Sequence, residues 1–225
     1  MRLNPFIDKW PCPRRPGARR QFFAASLTLA SLLCLSAACV TKSAPRQGPR
    51  AANQESTFEE SAVNQSPLKL PLYDPKIVIK KSRRQLLLFS AGKLVRTYRI
   101  GLGLSPSGDK VRAGDRRTPE GEFYIFTKND NSAFYLSLGL SYPNTAHAER
   151  GLRAGLITRA QYDAITRALR ARKTPLQNTH LGGDIYIHGH GAQSDWTWGC
   201  VALENEDIRE LFGAVSVGTP VTIEP

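Results

Sequence analysis

The sequence predicts a mainly β domain with two or three helices attached to it. Short runs of β-favouring residues recur from about residue 71 to the C-terminus, residues typical of turns separate them, and one segment has a clear helical period. The 225 residues suffice for one domain of ordinary size, with room for a leader and a linker. A hydrophobic fraction of 41% is enough to form a core.

The predicted strands are rich in aliphatic, β-branched and aromatic residues and are bounded by short turns. They are KIVIKK at 76–81, QLLLFS at 85–90, KLVRTYRIGL at 93–102, EFYIFTK at 122–128, DIYIHG at 184–189 and the closing stretch 215–225. A glycine-rich loop at 103–121 precedes the fourth of these strands, and the apolar stretch 132–144 follows it.

The clearest predicted helix covers residues 158–173. Thr158 is a suitable N-cap, and the apolar residues after it recur at helical spacing, so that one side of the helix is apolar. A shorter helix is predicted at 204–212, where acidic residues at the start suit the positive end of the helix dipole.

Residues 1–39 have the organisation of an export signal. A basic segment, RRPGARR at 14–20, precedes an apolar run at 22–39 that ends in small residues. The stretch RRQFFA at 19–24 resembles a twin-arginine signal, which directs the export of folded proteins.

The end of this leader, LSAAC at 35–39, resembles a lipoprotein signal in which Cys39 would be lipidated and would tether the chain to a membrane. Plain cleavage nearby and an uncleaved anchor are the alternatives. All three predict a location outside the cytoplasm, in the periplasm or cell envelope. Residues 40–72 are rich in Ser, Pro, Gln, Asn and Arg and predict a flexible linker ahead of a folded domain at 73–225.

The chain is basic, with 31 Lys and Arg against 19 Asp and Glu and a formal net charge of +12. The leader holds more of the basic than of the acidic residues, and the formal charge falls to +7 without it. A basic surface suits polyanions, including nucleic acid and anionic cell-wall polymers. No recognisable nucleic-acid module accompanies the charge, so we predict no nucleic-acid partner.

Without the leader, the predicted domain has a single cysteine, Cys200. Cys12 and Cys34 lie in the leader, and Cys39 is either lipidated or close to the new terminus. An exported domain with one thiol has no disulfide framework, so this cysteine is either reactive or simply buried.

Cys200 ends the stretch HGHGAQSDWTWGC at 188–200, which contains the groups that thiol chemistry requires. A thiol attacks carbonyls as the thiolate and needs a base nearby, for which His188 and His190 are the candidates. The glycine before the cysteine lets the backbone turn sharply. The amides from Trp198 onward could then form an oxyanion hole.

Two other interpretations of this stretch are open. Cys200 is a small core residue in the first. In the second, zinc is bound by His188, His190, Asp195 and Cys200, although the glycines beside the histidines argue against a continuous strand that presents both on one face. Trp196 and Trp198 are interpreted as packing or substrate-stacking groups. Two further histidines are expected at the surface, His147 and His180.

Five segments together resemble a known family. They are GDKVRAGDRRTPEGEF at 108–123, SYPN at 141–144, IHG at 187–189, TWGC at 197–200 and VGTPVTI at 217–223. The chain resembles the catalytic domain of L,D-transpeptidases, the YkuD family, in which an IHG histidine serves a cysteine in a Ser/Thr-x-Gly-Cys motif. The resemblance implies a mixed, β-sandwich-like domain with peripheral helices, in agreement with the strand pattern.

The resemblance also implies a chemistry. The residues concerned are Cys200 as nucleophile, His188 as general base, Trp198 and Gly199 as oxyanion donors, and His190, Thr197 and Tyr142 as substrate contacts. The substrate would be a peptidoglycan stem peptide, whose acyl group passes through a thioester to an amine. No metal or organic cofactor is needed, because thiolate, base and oxyanion donors suffice.

The sequence departs from the family pattern beside the nucleophile. Trp198 occupies the place of histidine in the usual Ser-His-Gly-Cys, and Ala202 stands where relatives often have a basic residue. Because these differences concern the acyl acceptor, a hydrolase (an L,D-carboxypeptidase or an amidase) is the alternative to a transpeptidase. A non-catalytic wall-binding module with a buried Cys200 is the third interpretation.

Overall fold

The computed structural model describes residues 67–225. The predicted export signal at 1–39, with Cys39, and the predicted linker as far as residue 66 lie outside the described residues. Among the described helices, none is long and apolar enough to cross a membrane.

Strands make up most of the regular structure, and helices are inserted late in the chain. In order, the elements are β1 (Lys76–Lys80), β2 (Gln85–Ser90), β3 (Lys93–Arg99), β4 (Gly121–Ser132), β5 (Tyr135–Leu140), α1 (Thr145–Arg153), α2 (Arg159–Arg170), β6 (Tyr186–His188), β7 (Val201–Ala202), α3 (Asn205–Ala214) and β8 (Pro220–Glu224). The predicted mainly β fold with a few helices is confirmed.

The strands form one mixed sheet in the order β3-β2-β1-β8-β4-β5-β6-β7. Strand β1 is parallel to β8, β6 is parallel to β7, and the other pairs are antiparallel. The long strand β4 pairs with β8 over residues 121–124 and with β5 from Ile125 onward, so it joins the two halves of the sheet.

The two ends of the sheet meet. Gly101, just after β3, and Ala202 of β7 each donate their N–H to the carbonyl of the other, at 2.9 and 2.8 Å. The sandwich-like arrangement therefore consists of two halves of one curled sheet rather than two separate sheets.

The main hydrophobic core lies between these halves. Alternation puts Ile77 and Ile79 of β1 on the buried face, and both are 0% exposed. The same cluster contains residues of the other half and of α3, including Leu138, Ile187 and Ile208. Each such aliphatic side chain contributes about 1.5–3 kcal/mol by leaving water, so the core holds β6 and α3 firmly behind the motif at 188–200.

The helices follow the predictions in part. Thr158 caps α2 as expected, in a capping box with Gln161. The second predicted helix is α3, which begins after Glu204. Helix α1 has few apolar side chains among its nine residues, and its start is fixed by the Asn144 side chain, which accepts from the His147 N–H.

A buried lysine fastens the glycine-rich loop to the sheet. Lys81 follows β1 and is 2% exposed. Its ammonium donates to the carbonyls of Gly108 and Thr118, at 2.7 and 3.0 Å, and to the Glu120 carboxylate at 2.7 Å. The charge is thus fully paired, and the loop from 108 to 120 is held at three points.

We expect Lys81→Met to lower the free energy of unfolding by about 3–5 kcal/mol, because Glu120 and two carbonyls lose their cation. Lys76→Met, at the exposed start of β1, is the matched control and should change it by less than about 0.5 kcal/mol. Urea unfolding measures both variants. Equal stability of the two would contradict the role given to Lys81.

Candidate active site

The His188 imidazole lies at the end of β6, between two aromatic rings. Its ring centroid is 4.6 Å from that of Phe134 and 5.5 Å from that of Trp196, and the residue is 3% exposed. Nδ1 lies 2.8 Å from the Gly189 carbonyl oxygen. Since a carbonyl only accepts, Nδ1 carries the proton in the neutral ring and Nε2 is left with a lone pair.

Burial determines the charge of this ring. It lowers the pKa of His188 to about 4, against a smaller raising effect of the Gly189 carbonyl and a further lowering by His190. The imidazole is therefore neutral at pH 7, with Nε2 able to accept a proton.

Cys200 lies directly before β7 and is partly exposed. Its Sγ accepts from the Tyr186 N–H at 3.4 Å and donates to the Asp184 carbonyl at 3.5 Å. Burial of the sulfur raises the pKa of Cys200 to about 11; the Tyr186 amide and Lys110 lower it, and Asp184 raises it. The resting thiol is protonated at neutral pH.

The parallel pairing of β6 and β7 brings the two groups onto neighbouring chain segments. Ile187 is opposite Val201, so Cys200 lies beside Tyr186, two residues before His188. Within residues 67–225, Sγ makes no hydrogen bond with the His188 ring. Desolvation keeps both groups neutral at rest, and the sulfur is turned toward Tyr186 and Asp184.

The turn before the cysteine is braced by a buried threonine. The Thr197 hydroxyl donates to the Cys200 carbonyl at 2.7 Å and accepts from the Gly199 N–H at 3.1 Å. Gly199 has φ 131°, and a Cβ there would lie 2.8 Å from the Arg117 carbonyl oxygen. The Gly199 amide, predicted as an oxyanion donor, is thus occupied, and Thr197 supports the turn from inside.

Trp198 and His190 are both exposed. The Trp198 side chain is 46% exposed, with the Arg116 guanidinium 4.6 Å from its ring centroid. His190 has φ 77°, and its N–H donates to the Asn205 side chain at 2.9 Å. Both side chains are therefore accessible to a ligand.

Two residues lie deeper than predicted. Tyr142 is 0% exposed and its hydroxyl donates to the Leu181 carbonyl at 2.8 Å, so it packs in the core instead of contacting substrate. His147, expected at the surface, is 2% exposed, and its ring nitrogens contact the side chains of Asn144 and Asp109. His180 is exposed, as expected.

The residues proposed for zinc do not meet. Asp195 is paired with Arg84, at 2.7 Å, and accepts from the Leu102 N–H at 2.9 Å. In the part of the chain that the structure describes, no group of three or more His, Cys, Asp and Glu side chains is arranged to hold a metal ion.

Sequence reasoning missed the groups that surround Cys200 and His188. Phe134 is at the tip of the hairpin between β4 and β5, more than fifty positions before His188, and nothing in its local sequence marks it. The sulfur's neighbours Asp184 and Tyr186 act through backbone atoms, which a side-chain pattern does not reveal.

Comparison with known proteins identifies relatives. The model of the L,D-transpeptidase catalytic domain family (YkuD) matches residues 74–223. No curated protein matches the chain.

Solved structures with a similar course of the chain include an L,D-transpeptidase from Xylanimonas cellulosilytica, with 16% identity and a TM-score of 0.42. A variant of the helical cell shape determining protein Pgp2 from Campylobacter jejuni has 24% identity and a TM-score of 0.45, and Bd1075 from Bdellovibrio bacteriovorus has 19% and 0.44. The matches cover 75%, 79% and 70% of this chain, and 69%, 57% and 51% of those chains.

The alkylation rate of Cys200 should follow its raised pKa. With iodoacetamide, we expect a rate that increases about tenfold for each pH unit from 7 to 10, because only the thiolate reacts. Mass spectrometry of the peptide that contains Cys200 measures the rate separately from the other cysteines. A midpoint below pH 8 would show that the sulfur is ionised at rest, contrary to this expectation.

Burial of neutral His188 should also make the fold sensitive to acid. Its pKa is about 4 in the folded chain against 6.5 for the unperturbed group, so between these values only the unfolded chain takes up the proton and stability falls as pH falls. From pH 7 to pH 4.5, the wild type should lose about 2.5 kcal/mol more than His188→Gln.

Urea unfolding at the two pH values gives this difference. His180→Gln, which changes an exposed histidine, should lose as much as the wild type. An equal loss in the wild type and His188→Gln would mean that His188 does not carry the effect.

Proposed function

Because the chain belongs to the L,D-transpeptidase catalytic domain family, we propose that it is a peptidoglycan L,D-transpeptidase with Cys200 as nucleophile and His188 as general base. One observation carries the proposal. The thiol of Cys200, a partly exposed residue on a braced turn, adjoins the strand that ends in a neutral histidine whose Nε2 makes no hydrogen bond with residues 67–225.

The first step would be acylation of the sulfur. Rotation about the Cα–Cβ bond of Cys200 takes the thiol from Tyr186 toward His188, which is on the same face of β6 two residues on. Nε2 then accepts the thiol proton while sulfur attacks the carbonyl carbon of the penultimate residue of a stem tetrapeptide. The imidazolium gives that proton to the departing amine of D-alanine, and a thioester remains.

The negative charge on the carbonyl oxygen needs N–H donors while the carbon is tetrahedral. The Gly199 amide is engaged by Thr197, whereas the Cys200 amide donates to no described residue. We therefore assign the Cys200 N–H as an oxyanion donor. Trp198 lies two residues earlier in the same turn.

The second step would transfer the acyl group. An amine of a second stem attacks the thioester carbon, Nε2 takes a proton from the attacking nitrogen, and the proton returns to the leaving sulfur. Peptide bond and free thiol are the products. Water in place of the amine would give the L,D-carboxypeptidase reaction, so the acceptor alone separates the two activities.

The substrate class also supports a location. Peptidoglycan is assembled outside the cytoplasm, and we propose that residues 1–39 direct export and that residues 40–72 tether the domain. Cys39 is the proposed lipid attachment site. Exposed Arg116, whose guanidinium lies over the Trp198 ring, would suit a carboxylate of a stem peptide.

Incubation of the full chain with a disaccharide-tetrapeptide, followed by mass spectrometry, tests the proposal. We expect cross-linked dimers and loss of D-alanine. Free disaccharide-tripeptide without dimers would indicate the hydrolase, and binding to sacculi without turnover would indicate the wall-binding module.

Substitution at the two reactive positions should separate their roles. Cys200→Ala should abolish both turnover and the acyl-enzyme mass increase, because no sulfur remains to be acylated. His188→Gln should slow acylation by roughly 10²–10⁴-fold, the usual contribution of a general base. His190→Gln is the matched control, and a greater loss there than in His188→Gln would transfer the role of base to His190.

A further inference from the structure

The tip of the hairpin between β4 and β5 contacts the segment around His188 in two ways. The Phe134 ring lies against the imidazole, with centroids 4.6 Å apart and planes 31° apart. The Phe134 carbonyl accepts from the Gly189 N–H at 3.1 Å. Phe134 thus contacts His188 through its ring and Gly189 through its backbone carbonyl.

The position of Gly189 completes this contact. Its carbonyl oxygen accepts from Nδ1 of His188, while its N–H is bonded to the hairpin. A Cβ at Gly189 would lie 2.9 Å from the Phe134 carbonyl oxygen and 2.5 Å from Oδ1 of Asn205. The close approach of the hairpin therefore requires glycine at this position.

Phe134 is itself 37% exposed, although it covers a ring that is 3% exposed. One part of the phenyl ring is thus in solvent and another is against the imidazole. An aromatic ring at a two-residue hairpin tip is buried only where it packs against another group. The Phe134 ring packs most closely against His188, at 4.6 Å between centroids, with Trp196 at 6.0 Å.

We infer that Phe134 is a positioning residue for His188: its ring and carbonyl fix the orientation of the imidazole and exclude water from it. The inference rests on the proposed function only in naming His188 as the base. The titratable neighbour of the imidazole is His190, whose ring is 5.7 Å from that of Phe134; Trp196 covers another side and is uncharged. Loss of the phenyl ring should therefore change the His188 pKa because water then reaches the imidazole.

The test is an NMR titration of the four histidine rings in the full chain, with His188 assigned from His188→Gln. In the wild type the His188 pKa should be about 4, and in Phe134→Ala it should move by at least one unit toward 6.5. Tyr135→Ala is the matched control: this neighbouring hairpin residue is also exposed and should leave the titration unchanged.

Turnover provides the second measurement. The acidic limb of the pH profile should move upward with the pKa in Phe134→Ala and return in Phe134→Tyr, which keeps the ring. An unchanged His188 titration in folded Phe134→Ala would overturn the inference. If that variant does not fold, Phe134→Leu decides in the same way. Because the titration does not require turnover, an inactive wild type would contradict the proposed function and leave this inference to the titration.

Discussion

The short parallel pairing of β6 and β7 is the contact on which the site depends. Ile187 and Val201 are both 0% exposed, so the two strands are fastened in the core at the residues that pair. His188 and Cys200 flank this buried rung, one after it and one before it. The twelve residues between the two strands, 189–200, are therefore anchored in the core at both ends.

The sequence predicted most of this framework, because its strands are long enough to show their pattern. Residues 76–102 lie almost where expected, and so does the helix capped by Thr158. Strand β7 was missed because two residues carry no period, and the bounds of α1 were not predicted because its apolar side is incomplete. These elements are determined by tertiary contacts, which a local pattern does not contain.

The candidate site was predictable in its residues but not in its environment. The motif around Cys200 and His188 predicted two residues that lie on neighbouring strand segments, whereas the side chain of Tyr142 proved to be buried in the core. The depth of a tyrosine or histidine depends on which distant segment covers it. Phe134, which is distant in sequence, covers His188, and the Asp109 side chain contacts the buried His147 ring. The burial of neither histidine could therefore be inferred from its neighbours in sequence.

For the location outside the cytoplasm that is proposed above, the protonated state of Cys200 has a consequence for the survival of the thiol. The thiolate is the form that attacks peroxides and disulfides, and a pKa of about 11 leaves only about one sulfur in 10⁴ in that form at pH 7. An exported domain has no glutathione pool to repair a sulfenic acid. A sulfur that becomes nucleophilic only when a substrate recruits the nearby imidazole is chemically durable in an oxidising compartment.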